Sequence, residues 1–238
     1  GSGGDVKITS GNGALQSGDI ALVTAATTST SSGSVNIVTG NNNNGGQTGS
    51  IVTKTGASTG VGGDITQTVG ASVTQGGNVV IAAGGSDVAT GGSVNINSGS
   101  STLQQRGEIT LMSGDGTTLG NGGLINIASG SSSSAASGEI KIQTGSSGMA
   151  ASGSVSIATD GGGDMGASIS VIAGSSQTQT GGAIYLNSGS SMGSASGSIQ
   201  VNSGKSSAMS GGITLSTGSS NTNSGDLRAM TGNSMPNK

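Results

Sequence analysis

Gly138-Glu139-Ile140-Lys141-Ile142-Gln143-Thr144-Gly145 is the stretch on which the reading of this chain turns. Ile140, Ile142 and Thr144 alternate with Glu139, Lys141 and Gln143, so a period of two places the first three on one face of a short strand. Isoleucine, branched at Cβ, suits a pleated setting. A glycine on either side permits a turn or a close approach of another chain segment. Six or seven small polar residues follow before the pattern begins again.

Working outward, the same unit recurs sixteen times: glycine, any residue, aliphatic, any, aliphatic, any, Ser or Thr, glycine. Clear copies begin at Gly92, Gly182 and Gly197. The first aliphatic position runs from Val6 to Leu227, 221 residues in fifteen intervals, about 14.7 each. It is Ile, Val or Leu in all sixteen copies, and the second is aliphatic in thirteen, with Thr53, Gln67 and Ala229 departing. The leading glycine fails once, at Ala167, and the trailing glycine twice, at Ala25 and Asp160. The third inward position is Ser or Thr in thirteen copies and Val69, Ala83 or Ala173 in the others. A disordered Gly/Ser linker has no reason to keep aliphatics in step through sixteen copies. A single unit cannot bury its apolar face, whereas stacked units can, with each aliphatic above its counterpart in the preceding copy.

The expected fold is therefore all-β: a parallel β-solenoid (β-helix) of about 16 repeats of 14–16 residues. It is expected to form one domain over residues 1–232, with a C-terminal tail at 233–238. One repeat per coil would stack sixteen layers to about 75 Å at the strand spacing of about 4.8 Å. Two repeats per coil is the alternative winding, which buries more apolar area. The polar connections carry aligned serine pairs, Ser131-Ser132, Ser146-Ser147, Ser175-Ser176, Ser190-Ser191 and Ser219-Ser220, read as a thinner second wall or as turns.

Composition narrows the function. The 238 residues include 50 glycines, one tyrosine (Tyr185), one proline (Pro236) and no Phe, Trp, His or Cys. Seven basic and ten acidic residues give a net charge of −3, with no basic cluster to neutralise phosphates, so nucleic acid is not an expected partner. No apolar run is long enough to span a bilayer, so no membrane insertion is expected. The absence of His and Cys removes the common triads, thiol nucleophiles and most zinc sites.

The units, for example Gly123-Leu124-Ile125-Asn126-Ile127-Ala128-Ser129-Gly130 with its serine-rich connection, resemble Gly/Ser-rich β-solenoid repeats of microalgal surface proteins and viral fibres. That resemblance implies a rigid element outside the cell or on a particle surface, and it brings no catalytic residue with it. In coil length the chain also looks like small insect ice-binding solenoids.

Few residues invite chemistry. Gly204-Lys205-Ser206 is similar to the end of a phosphate-binding loop, but the glycine required five residues before Gly204 is Ile199, and the triplet belongs to the ordinary repeat. Asp160-Gly161-Gly162-Gly163-Asp164 offers two carboxylates on a loop, a weak Ca²⁺ candidate read first as a plain connection. Acidic residues precede the first aliphatic in six copies, among them Asp5, Glu108, Glu139 and Asp226, and form at most a partial outer column. Paired carboxylates could serve glycoside hydrolysis, but the outward positions lack the aromatics that line sugar clefts. The column after the first aliphatic is mixed, with Lys7, Lys141, Tyr185 and Arg228 interrupting it, so the flat threonine array of an ice-binding face is missing there. Thr27-Thr28-Ser29-Thr30 and Thr178-Gln179-Thr180 are isolated. The other outward column holds Val23, Val38, Met112, Ala128, Ala158, Ile172 and Met230, a half-apolar stripe able to pack laterally.

The expected role is that of a non-catalytic structural or adhesive element at a cell or particle surface, self-associating laterally or end to end into fibres. No enzyme activity, catalytic residue, cofactor or metal is expected. Ice binding through a flat Ser/Thr-rich face is the alternative, and glycan binding a further one.

Overall fold

A computed structural model of the chain describes residues 3–28, 31–102, 107–116, 120–148, 150–161 and 165–233. The chain divides into two units, Gly1–Gly123 and Leu124–Lys238. Each holds eight of the first aliphatic positions, Val6 to Ile109 in one and Ile125 to Leu227 in the other.

The expected solenoid is not what forms. Among the described residues there is no helix and no strand, so neither a sheet nor a coil of either winding is present. Backbone–backbone hydrogen bonds between described residues join positions only seven to nine apart in sequence, whereas a layer stacked on its predecessor would need partners about fifteen apart. Ile140 and Val155, which a stack would place in contact inside a core, remain 49% and 52% exposed. No apolar side chain is buried among the described residues. The chain exposes 24070 Å², where a compact monomer of its mass would expose about 9,300 Å². Two aliphatics in fifteen residues supply little area to bury, and the glycines that surround them lose more conformational freedom on ordering than any other residue.

What forms instead is a chain of closed loops. In seven connections the leading glycine of one copy donates its N–H to the carbonyl of the trailing glycine of the copy before. These bonds are Gly18 to Gly11, Gly92 to Gly84, Gly107 to Gly99, Gly123 to Gly114, Gly138 to Gly130, Gly182 to Gly174 and Gly197 to Gly189, at 2.8 to 3.0 Å. Each bond draws the two ends of a polar connection into a neck.

The third inward residue governs whether the neck closes. Its side chain lies against the leading glycine of the next copy, except that Ser203 and Thr217 do not approach Gly211 and Gly225, where an added Cβ would meet nothing within 4 Å. A Cβ added to Gly138 would sit 3.1 Å from Cβ of Ser129, and one added to Gly77 would sit 2.9 Å from Cγ1 of Val69. The seven bonded necks follow Ser10, Ala83, Ser98, Ser113, Ser129, Ala173 and Ser188. Necks after Thr24, Thr39, Thr55, Val69, Thr144, Thr159 and Thr217 have no such bond. Connection length does not explain the division. Trailing and leading positions eight apart are bonded after Ser129 and open after Thr144, and positions nine apart are bonded after Ser113 and open after Thr39. The extra branch at Cβ of Thr or Val holds the two backbones apart. Ser203 is small yet its neck is open, and the structure offers no reason for it.

The segments between necks keep the alternation that the sequence announces. The Thr110 hydroxyl donates to Oε1 of Glu108 at 3.1 Å, and Nη2 of Arg228 donates to Oδ2 of Asp226 at 2.7 Å. Residues two apart therefore share a side, as extended backbone requires.

Exchanging bulk at the neck gives a direct check. Thr144→Ser is expected to close the neck at Gly153 and slow exchange of that amide about fivefold, the effect of one hydrogen bond worth about 1 kcal/mol. Ser129→Thr is expected to open the neck at Gly138 and speed that amide by a similar factor. Amide hydrogen exchange read by NMR measures both.

Candidate functional surface

The polar connections are turns, not a second wall. In ten of them, the residue two places after the trailing glycine accepts backbone N–H groups with its side-chain oxygen. Oγ of Ser132 takes the N–H of Ala135 at 2.9 Å, Ser147 that of Ala150 at 3.0 Å, Ser176 that of Gln179 at 2.9 Å, and Ser191 that of Ser194 at 3.0 Å. Ser58, Ser72, Ser86, Ser206 and Ser220 do the same in their own copies, and Asn42 Oδ1 takes the N–H groups of Asn44 and Gly46. Serine and asparagine suit this task because a short polar side chain reaches back to its own turn. The second serine of every aligned pair is thus the cap. Where that position is Gly13 or Gly116, a side chain would run into the carbonyl of Gln16 or Gly120, and the turn tightens onto the bare backbone instead.

The positions singled out for chemistry fall into this scheme. Ser206, at the end of the phosphate-loop look-alike, caps the N–H of Ala208 at 3.1 Å. Asp160 Oδ1 accepts the neighbouring N–H of Gly161 at 2.8 Å. Gly162, Gly163 and Asp164 lie outside the described residues, as do Ser29, Thr30 and residues 234–238 of the expected tail. No group of three or more His, Cys, Asp or Glu able to hold a metal ion occurs among the described residues. No cavity occurs among the described residues. No described helix is long and apolar enough to cross a membrane.

What the chain does present, copy after copy, is an aliphatic face. The first aliphatic is 43–60% exposed in copies two to fifteen, the second 65–75%, and Val23, Val38, Met112, Ile172 and Met230 of the second outward column 80–87%. This ordering shows that the two inward columns share a side that the loops partly shelter.

Compared with protein-family models, curated proteins and solved structures, the chain matches none. Its own surface is therefore the ground for any functional statement. Sequence reasoning recognised the aliphatic columns and the serine pairs. It missed the cap, whose signal was serine or asparagine at a constant offset from the trailing glycine. It also missed the part played by the third inward residue, whose signal was the split between Ser or Ala and Thr or Val.

Ser132→Ala and Ser176→Ala are expected to remove one cap each, raising amide exchange at Ala135 and Gln179 about fivefold and leaving the other turns unchanged. Ser131→Ala and Ser175→Ala are expected to change neither amide.

Proposed function

We propose that this protein is a non-catalytic structural or adhesive element of a cell or particle surface, acting through the aliphatic face that every copy exposes. One observation carries the reading: the copies expose a first aliphatic column that is complete and a second filled in thirteen of sixteen, with no apolar side chain buried among the described residues. Such a surface meets water unfavourably, at about 25 cal/mol for each Å² of apolar area. Contiguous apolar surface left open on a soluble chain marks a site of association. Repetition makes the site multivalent, so weak contacts at single copies add into a firm attachment. The likeness of the units to repeats of surface and fibre proteins supports placement outside the cell or on a particle.

The low charge supports the same reading. With a net charge of −3 over 238 residues, little electrostatic repulsion opposes close approach of a surface or of another chain. Loops already closed by necks and caps have less freedom to lose on association than a free Gly/Ser linker has.

Sedimentation velocity over a concentration series tests the proposal, with far-UV circular dichroism recorded in parallel. Sedimentation coefficients are expected to rise with concentration, and a β signal absent at high dilution is expected to grow with them. Ile140→Asp combined with Ile142→Asp is expected to weaken association at least tenfold. Fast amide exchange at Gly130, which accepts at its neck but donates to no backbone group, serves as the internal reference, and slow exchange at Gly138 in the variant shows that its loop remains closed. A chain that stays monomeric, and attaches to no surface, up to its solubility limit ends the proposal.

A further inference from the structure

We infer that the chain carries a self-modifying site at Asn44-Gly45, where the asparagine loses its side-chain nitrogen as ammonia and passes through a cyclic imide to aspartate and isoaspartate. The reaction needs only water and no enzyme. It stands apart from the surface role proposed above.

Three conditions favour this chemistry. The backbone N of the following residue must reach Cγ of the asparagine. Its N–H must not be tied up in a hydrogen bond. The following residue must not obstruct the ring that forms. Glycine meets the last condition best, having no Cβ and a wide choice of backbone angles. Of 17 asparagines, three precede glycine: Asn12-Gly13, Asn44-Gly45 and Asn121-Gly122. All three pairs are exposed and lie in polar connections.

Residue order alone does not rank the three, and their surroundings do. In the connection from Gly40 to Gly49, Oδ1 of Asn42 accepts the N–H of Asn44 at 2.9 Å and that of Gly46 at 3.1 Å. The N–H between them, that of Gly45, has no partner among the described residues. Gly45 has a φ of 78°, and a Cβ added there would meet nothing within 4 Å, so the ring and the incoming water have room.

The other two pairs are crowded. The peptide joining Asn121 to Gly122 lies against Gly116, where an added Cβ would come 2.7 Å from the carbonyl carbon of Asn121 and 2.8 Å from N of Gly122. A Cβ added at Gly13 would run into the carbonyl of Gln16. Both pairs also sit in connections closed by a neck, Gly123 to Gly114 at 2.9 Å and Gly18 to Gly11 at 3.0 Å. The neck after Thr39 is open. Of the three connections, that of Asn44 is therefore the one that can bend into the ring, and then take up an extra backbone carbon, without breaking a neck bond.

The steps balance. The deprotonated N of Gly45 attacks Cγ of Asn44 and forms the N–Cγ bond. The Cγ–Nδ2 bond breaks, and the side-chain nitrogen leaves as ammonia after taking up a proton from water. A second water then opens the imide. Entry at Cγ breaks the new N–Cγ bond and gives aspartate. Entry at the main-chain carbonyl carbon breaks its bond to N of Gly45 and gives isoaspartate, with the chain now running through Cγ. Either product adds one negative charge to the present −3.

Ageing the full-length chain in mildly alkaline buffer tests the site, with tandem mass spectrometry and electron-transfer fragmentation to locate each change. Asn44 is expected to gain about 1 Da first, with isoaspartate among its products. Its lead over Asn12 and Asn121 is expected to be about fivefold, the effect of one hydrogen bond that must first break. Asn95 and Asn126, each followed by isoleucine, are expected to stay unchanged over the same period. Short synthetic peptides spanning each of the three pairs are expected to age at nearly equal rates, so that the lead belongs to the structure. Asn44→Gln is expected to abolish the change at this position. No gain at Asn44, a lead at Asn12 or Asn121, or a lead no larger than the peptides show would overturn the inference. Aspartate without isoaspartate would reveal direct hydrolysis and overturn the imide route.

Discussion

The contact between a leading glycine and the side chain seven residues into the preceding copy organises everything else in this chain. Backbone can approach that side chain only where no Cβ stands in the way: an added Cβ would meet Val69 at 2.9 Å and Ser129 at 3.1 Å. The trailing glycine faces no such neighbour, and a Cβ added at Gly130 or Gly145 meets nothing within 4 Å. The asymmetry explains the exceptions in the repeat. Ala25 and Asp160 are accommodated because their position opens outward. At Ala167, the single departure from the leading glycine, the neck bond is lost and the Thr159 hydroxyl reaches the Ala167 carbonyl at 3.4 Å instead. Bulk on the other side of the contact then decides between a closed neck and an open one, with Ser or Ala on one hand and Thr or Val on the other.

Closing connections locally has a cost in burial. A loop whose ends meet seven to nine residues apart is satisfied within itself, and its serine caps satisfy further N–H groups inside the turn. Nothing in that bonding carries one copy onto the next. The aliphatic pairs, ordered by exposure into a sheltered column and a more open one, are left on the surface. The same local closure that withholds a core from the single chain leaves a repeated apolar face with unpaired backbone beside it. An associative role follows from that combination more readily than a catalytic one, since the carboxylates that remain, such as Asp160 and Glu108, are engaged with their own segment.

Much of the local structure was legible in the sequence. The alternation around Ile140 and Ile142 foretold a segment with two distinct sides, and the pairing of Glu108 with Thr110 and of Asp226 with Arg228 across one intervening residue agrees with it. The serine pairs were read as a second wall or as turns, and only the structure shows that they are turns in which Ser132 and Ser176, not Ser131 and Ser175, accept the N–H groups. That the copies do not stack into the expected solenoid was not legible, because period-two alternation states which side chains share a face and is silent on which segment will cover that face. Glycine was read as permitting either a turn or a close approach, and Gly45 is the only described residue with positive φ, at 78°. The leading glycines are needed for proximity.

By itself the sequence determined the repeat, its sixteen aliphatic positions, the unequal spacing between them and the polar character of the connections. These follow from residue order and from the geometry of an extended backbone, which any window of fifteen residues already contains. Only the tertiary structure decided that each connection closes on itself, and that the aliphatic face stays open. That outcome depends on distances of about 3 Å between residues eight apart, where one methyl group at the position of Thr144 or Ser129 separates an open neck from a bonded one.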